Sequence, residues 1–349
     1  MIKEKLSVVG VMSGTSLDGL DLCAVNFLGG DYEIKHAKTI EYPSKIRALL
    51  QKSHLLSGLE LSQLHVDYGV YCGKTIRTFL DETGFTADYI GSHGHTVFHT
   101  PETGLSLQIG SGPHIARHSG VSTVYNFRSL DVAYGGSGAP LVPVGDAHLF
   151  GEFDYCLNIG GFANISTGKD NRVAWDICPA NFVLNEYAEM FNKPYDLNGE
   201  IGRSGKLYQP LFDVLQNLPY YKQSAPKSLG REWVEKECKP CFSMFSIEAA
   251  DAMRTFYEHI AVQIGSVLQK DNASVLCTGG GVHNSFLMER IAAHSSAKLL
   301  VPSSEIIDYK EALIFAYLAY LRVQHAENCL ASVTGAQRSV CGGDLAVIL

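Results

Sequence analysis

The sequence predicts an α/β protein built as two similarly organised halves, each around a mixed sheet flanked by helices. Two patterns carry this. Each half opens with apolar, strand-like runs that end in glycine-rich turns, and each opening is followed by segments with helical spacing of apolar residues. A chain of 349 residues also fits two domains, each long enough to bury a sizeable core.

In the first half, Leu6 to Val11 reads as a buried strand and Leu20 to Leu28 as its partner across a tight turn. Tyr32 to Tyr42 makes a third strand. Lys45 to Leu56 and Leu61 to Glu82 have helical spacing, the longer one with Leu64, Tyr68, Tyr71, Ile76, Phe79 and Leu80 on its apolar side. Tyr89 to Ser92 is a short strand ending at His93-Gly94-His95-Thr96. Ser106 to Ile109 and Ser122 to Tyr125 are strands on either side of a short helix carrying Ile115 to His118. Tyr134 to Pro140 is dense in glycine and is expected to mark the boundary between domains 1–130 and 131–349, with part of the C-terminal end packing back on the first.

The second half repeats the plan. Tyr155 to Ile159 ends in Gly160-Gly161, Asn164 to Thr167 pairs with it, and Arg172 to Trp175 ends at Asp176. A helix over Asn181 to Phe191 precedes a glycine-rich loop, Asp196 to Gly205. Ser246 to Leu268 is expected to be the longest helix. Ser274 to Cys277 runs into Thr278-Gly279-Gly280-Gly281. A helix over Ser285 to His294, a strand over Leu299 to Val301 and a helix over Glu311 to Val323 complete the chain.

Composition excludes several functions. A net charge of −8 and a pI near 5.9 argue against nucleic acid as partner. No apolar run reaches bilayer length, so no membrane span is expected, and Met1 to Lys5 leads straight into the first strand without a cleavable signal. Nine cysteines at irregular spacing suit reduced thiols in a cytoplasmic protein. Cys238-Lys239-Pro240-Cys241 is a lone pair and reads as two loop cysteines rather than a zinc or redox site.

The turn after the first strand is richer in small and hydroxylated residues than a hairpin needs. Gly14 and Gly19 permit close backbone approach, Ser13, Thr15 and Ser16 offer hydroxyls and N–H groups to an anion, and Asp18 and Asp21 can orient a hydrated Mg²⁺. An ordinary hairpin turn is the alternative. With Gly160-Gly161 and Gly279-Gly281 it makes three glycine turns at strand ends, where open α/β sheets bind ligands. The P-loop, the dinucleotide fingerprint and the acyl-hydrolase elbow are all absent. His93, His95 and His99 lack a nearby carboxylate to complete a metal set, so hydrogen bonding or packing is favoured for them. Asp176 reads either as a general base near a helix start or as a turn or N-cap residue. Arg128 and Glu311 read either as groups gripping a polar substrate or as surface charges.

Together these stretches resemble the anhydro-N-acetylmuramic acid kinases of the actin, sugar-kinase and chaperone-ATPase superfamily, from end to end. The most specific stretch is Gly10 to Asp21; others are Gly91 to Val97, Gln108 to Gly110, Phe127-Arg128, Gly135 to Pro143, Asn158 to Ile165, Tyr195 to Gly199, Pro226 to Glu232, Gly279 to Asn284, Glu311-Ala312 and Val333 to Ala336. The resemblance implies two ribonuclease-H-like (actin-like ATPase) domains with an interdomain nucleotide cleft that closes over its ligands. It implies ATP and Mg²⁺ as cofactors. Gly14, Thr15, Ser16, Leu17, Asp18, Gly19, Leu20 and Asp21 would form one phosphate loop, with Asp18 toward the metal. Gly160 and Gly161 would form the opposing loop, and Gly279, Gly280 and Gly281 would lie against adenosine. Asp176 would be the catalytic aspartate, with Thr96, Arg128 and Glu311 around an amino sugar. The implied reaction opens a 1,6-anhydro sugar with water and phosphorylates O6, in cytoplasmic recycling of cell-wall sugar by a homodimer. The chain departs from the family pattern at Ile177, Cys178 and Ala180, where a Thr and two Gly are usual, and at His95, where Gln is common. A kinase for another anhydro or free sugar, and a non-catalytic nucleotide- or sugar-binding relative, are the alternatives.

Overall fold

A computed structural model describes residues 5–14, 17, 19–169 and 171–349. Among these the strands are β1 Lys5–Ser13, β2 Gly19–Leu28, β3 Asp31–Glu41, β4 Tyr89–Ser92, β5 His95–Thr100, β6 Leu105–Ile109, β7 Ser122–Tyr125, β8 Tyr155–Ile159, β9 Phe162–Thr167, β10 Val173–Pro179, β11 Ser274–Thr278, β12 Lys298–Leu300 and β13 Asp344–Ala346. The chain forms two compact units, Met1–Leu149 with Tyr309–Leu349, and Phe150–Asp308.

The first unit holds a six-stranded sheet in the order β13-β7-β4-β1-β2-β3. β1, β2 and β3 form an antiparallel meander, and β4 and β7 add in parallel. β1 and β2 stay paired up to Ser13 and Leu20, so the intervening turn is carried on a rigid ladder. One sheet face is buried with Leu64, Tyr68, Ile76 and Phe79 of the helix Gly58–Thr83. That helix is the longest described, at 26 residues, displacing the expected Ser246–Leu268 segment, which is helical over Ala249–Val267. Its start was readable: Ser57 and Glu60 form a capping box, and Gly84 ends it in the left-handed conformation. On the other face the helix Ser304–Val323 lies directly on the sheet backbone. A Cβ on Gly10 would stand 1.8 Å from the Ala312 carbonyl oxygen, and one on Gly91 2.2 Å from that of Phe315. Only glycine permits that approach.

The second unit holds a five-stranded sheet, β10-β9-β8-β11-β12. Again three antiparallel strands precede two parallel ones. Apart from the edge strand β13, both sheets share one order, third-second-first-fourth-fifth, which is the ribonuclease-H-like arrangement. Leu157, Ile159 and Ile165 of this sheet pack with Met253, Phe256, Ile260 and Ile264 of the helix Ala249–Val267.

Several expectations need correction. Residues 131–149 belong to the first unit rather than opening the second. Gly145 lies against Ile314, where a Cβ would meet it at 2.4 Å, and Asp146 forms a buried ion pair with Lys310 at 2.7 Å. The glycine-rich 134–140 stretch is likewise tied down, through Ser137 N–H to Thr334 O at 2.8 Å. β5 was not foreseen. β10 does not stop at Asp176 but runs on to Pro179, with an irregularity between Asp176 and Cys178. Part of the Asp196–Gly205 loop is helical over Glu200–Ser204, and Cys238 and Cys241 lie in helical segments rather than a loop.

Candidate active site

In the first unit the β1–β2 turn leads the candidate residues. Leu17 is held at φ +56°, a conformation that a branched side chain adopts at a cost, and its N–H reaches Gly14 O at 3.4 Å. Gly14, Leu17, Gly19, Leu20 and Asp21 are described; Thr15, Ser16 and Asp18 lie outside the described residues. Asp21 Oδ1 accepts the Thr39 hydroxyl at 2.6 Å. Because Ala312 abuts Gly10, the neighbouring Glu311 is brought into the electrostatic range of Asp21. Solvent reaches Glu311, yet the protein crowded around it raises its carboxyl pKa; Asp21 adds to the rise, and Lys310 and Arg128 oppose it.

Arg128 follows β7 and is the centre of a second cluster. Its Nη1 donates to Gly138 O at 2.6 Å and its Nη2 to His93 Nε2 at 2.8 Å. Since a guanidinium can only donate, His93 Nε2 must be the unprotonated nitrogen of a neutral ring. Burial, and then the Arg128 charge, push His93 well below the ordinary histidine range. Burial also lowers Arg128, to about 10, which leaves it charged at neutral pH. Gly138 is fixed in turn: its N–H donates to Asp131 Oδ2 at 2.8 Å, and Asp131 Oδ1 accepts the Thr334 hydroxyl at 2.8 Å. Three buried polar atoms here have no hydrogen-bond partner among the described residues, Arg128 Nε, His93 Nδ1 and Gln108 Oε1. The Gln108 amide reaches Thr96 Oγ1 at 3.4 Å. Each of the three histidines makes a polar contact, His93 with Arg128, His95 with Ser13 and His99 with Ser106. Among the described residues no cluster of His, Cys, Asp or Glu forms a metal cage.

In the second unit Asp176 sits within β10, opposite Asn164. Its Oδ2 accepts the Leu229 N–H at 2.8 Å; among the described residues no other donor reaches the carboxylate. Burial raises its pKa, and the Leu229 bond partly offsets that. The side chains of Ile177, Cys178 and Ala180, all 2% exposed or less, pack into the hydrophobic core. The unusual residues after the aspartate therefore fill the interior rather than crowd the carboxylate.

The two glycine turns of this unit differ. The Gly160 and Gly161 carbonyls accept N–H groups of Ala180, Asn181 and Phe182 at 2.8–3.1 Å. A Cβ at Gly160 or Gly161 would meet nothing closer than 3.6 Å, and one at Gly280 nothing within 4 Å. Gly279 and Gly281 are needed by the fold itself: a Cβ would stand 2.7 Å from Asn158 and 2.4 Å from Ile159. Asp196, missed as a site residue, braces this region. Its carboxylate accepts Ile201 N–H, Gly202 N–H and the Tyr257 hydroxyl at 2.9, 3.0 and 3.1 Å, and Asn284 donates to Tyr257 at 2.7 Å.

Comparison with known proteins places these features in one family. The family profile described as "Anhydro-N-acetylmuramic acid kinase" matches residues 6–347. A relative of that name from Actinobacillus pleuropneumoniae serotype 7 is 35% identical, over 96% of this chain and 97% of its own. Another from Sulfurovum sp. is 34% identical, over 98% and 99%. A solved structure, component A of (R)-2-hydroxyglutaryl-CoA dehydratase from Acidaminococcus fermentans, is similar over 91% of this chain and 99% of its own, with a TM-score of 0.47 and 13% identity. With a profile match over nearly its whole length and relatives sharing a third of its residues, the chain belongs to the anhydro-N-acetylmuramic acid kinase family.

Proposed function

We propose that this kinase opens 1,6-anhydro-N-acetylmuramic acid with water and transfers the γ-phosphoryl group of ATP to the released O6, giving N-acetylmuramic acid 6-phosphate. The observation that carries this reading is the state of Asp176: one oxygen is held by a backbone N–H, no described residue donates to the other, and burial raises the pKa. A carboxylate so placed accepts a proton from water. The water oxygen bonds to the anomeric carbon as its C1–O6 bond breaks, and the proton passes to Asp176. O6 then bonds to the γ-phosphorus, and the bond to the bridging oxygen breaks, its electron pair leaving with ADP.

Arg128 suits the acid group of a muramic sugar, because its Nε remains a buried, unused donor. Thr96 and Glu311 complete the sugar contacts. The 14–21 turn and Gly160-Gly161 offer backbone to the phosphates, and Gly279-Gly281 lies against adenosine. Asp18 and Asp21 of the 14–21 turn offer hard carboxylate oxygens, the donor type that matches a divalent ion such as Mg²⁺. When bound, that ion supplies neutralisation of phosphate charge. Among the described residues no helix is long and apolar enough to cross a membrane. On the family resemblance the protein serves cell-wall sugar recycling in the cytoplasm, as a homodimer.

The test is ADP release with Mg·ATP and the anhydro sugar, with free N-acetylmuramic acid as the parallel arm. Turnover with the anhydro sugar alone is expected, and Asp176→Asn is expected to lower kcat about 1,000-fold while ATP still binds. Turnover with the free sugar would reduce the protein to a simple hydroxyl kinase, and an active Asp176→Asn variant would remove the base.

A further inference from the structure

Asp176 is gripped by a segment that lies 44 to 53 residues further along the chain. Its N–H donates to Lys227 O at 3.1 Å and its carbonyl accepts the Tyr220 hydroxyl at 2.6 Å. Leu229 N–H completes the set on Oδ2 at 2.8 Å. β10 is the edge strand of its sheet, and the N–H and carbonyl of Asp176 make these bonds along the edge that β9 does not cover. The 220–229 segment therefore does for Asp176 what a further strand would do. It fixes the backbone on both sides and one of the two carboxylate oxygens.

The segment is itself pinned. Lys227 Nζ donates to Tyr220 O at 3.0 Å and sits 4.4 Å from the centre of the Tyr220 ring. Tyr220 is 3% exposed and packs against Tyr221 and Trp233. A buried hydroxyl aimed at one carbonyl, and a lysine folded back onto the same tyrosine, are more than a surface loop requires.

We propose that Tyr220 and Lys227 are positioning residues for this kinase: they latch the 220–229 segment onto β10 so that Asp176 presents Oδ1 free and correctly aimed. The inference rests on the reading of Asp176 as the base. The latch also has an electrostatic consequence. The titratable groups beside Asp176 are Tyr220, Cys178 and Lys227. Burial pushes the first two up and keeps them neutral. Lys227 is lowered by its own burial. The Leu229 N–H is the contact that lowers the Asp176 carboxyl, so releasing it moves that pKa upward. A base must be ionised to act, so the acid limb of the kcat profile moves to higher pH with it.

Tyr220→Phe keeps the ring and removes only the hydroxyl; Lys227→Met keeps an unbranched stem and removes the ammonium. Each is expected to lower kcat about 10-fold with the KM for ATP unchanged, and to move the acid limb up by about half a pH unit. Lys227→Arg, which keeps both the donor and the ring contact, is expected to restore the native limb. Circular dichroism establishes that each variant is folded. Asp176→Asn runs alongside. If it is inactive while Tyr220→Phe and Lys227→Met keep native kcat and an unmoved limb, the latch is overturned and the base stands. A fall in kcat with no shift of the limb in either variant also overturns it, since a merely structural role would do that. An active Asp176→Asn removes the base, and the latch with it.

Discussion

Arg128 in the first unit and Asp176 in the second are both half-buried, charged and partly unused, yet they are held by opposite means. Arg128 is fixed by a relay in which side chains take most of the steps: Thr334 to Asp131, Asp131 to the Gly138 peptide, Gly138 to the guanidinium, and the guanidinium to His93. Asp176 is fixed mainly through backbone atoms, its own and those of Lys227 and Leu229, with one side-chain donor, the Tyr220 hydroxyl. The difference follows from the chemistry asked of each. A guanidinium has five N–H donors, and committing one on each Nη leaves Nε–H and the remaining Nη hydrogens for a ligand. A base needs an oxygen left uncommitted, and one backbone N–H holds the carboxylate without neutralising its charge.

That contrast predicts that Arg128 tolerates substitution worst. Lysine has one ammonium where arginine has a planar fork, so it cannot serve Gly138 O and His93 Nε2 at their present positions and still offer a third donor. Arg128→Lys is expected to raise the KM for the anhydro sugar about 100-fold while the KM for ATP stays within a factor of two. Steady-state kinetics with each substrate varied in turn would measure this. Equal losses for both substrates would mean that Arg128 supports the fold rather than the sugar.

The two arrangements also differ in how far the sequence reveals them. The strands and glycine turns were legible because apolar runs bounded by small residues are a local signal, and Asp176 stood out at the end of such a run. The relay around Arg128 was partly legible, since His93, Arg128 and Thr334 each fall in a distinctive stretch, but their pairing is a matter of tertiary contact. The latch on Asp176 was legible only in part. Lys227 and Leu229 fall in the distinctive 226–232 stretch, but they reach Asp176 through a carbonyl and a peptide N–H, and the Tyr220 hydroxyl meets it from outside that stretch, so the pairing is a matter of tertiary contact. The unit boundary failed for a similar reason. Glycine density at 134–140 signals a change of direction, and what keeps 142–149 with the first unit is Gly145 lying under Ile314 together with the Asp146–Lys310 pair.

The relay carries an acid weakness that the backbone grip lacks. His93 accepts from Arg128 only while neutral, and burial keeps its folded pKa well below the ordinary value of 6.5. The unfolded chain binds that proton as pH falls below about 6.5, and the folded chain does not, so stability is complete above this value and declines below it. His259 in the second unit, buried against Tyr221 and lowered to about 3, adds a loss of the same sign. Denaturant midpoints measured at pH 7.5 and 5.5 are expected to fall for the native protein. They should fall less for His93→Gln, which keeps a neutral amide beside Arg128. An unchanged slope in that variant would assign the acid loss to other groups.

The smallest expected effects separate glycines that serve the fold from those that serve the nucleotide. Gly281→Ala would put a Cβ 2.4 Å from Ile159, so a lower melting temperature is expected from overpacking of about 1–3 kcal/mol. Gly160→Ala and Gly280→Ala meet no such neighbour, and their melting temperatures are expected to stay near native. If phosphates and adenosine approach these bare peptides, the added methyl groups stand where the ligand belongs. The KM for ATP should then rise several-fold while the KM for the sugar does not move. A melting curve and an ATP titration on the three variants read both effects. Native ATP affinity in Gly160→Ala and Gly280→Ala would place the nucleotide elsewhere on the second unit, because open space beside a glycine matters to binding only where a ligand fills it.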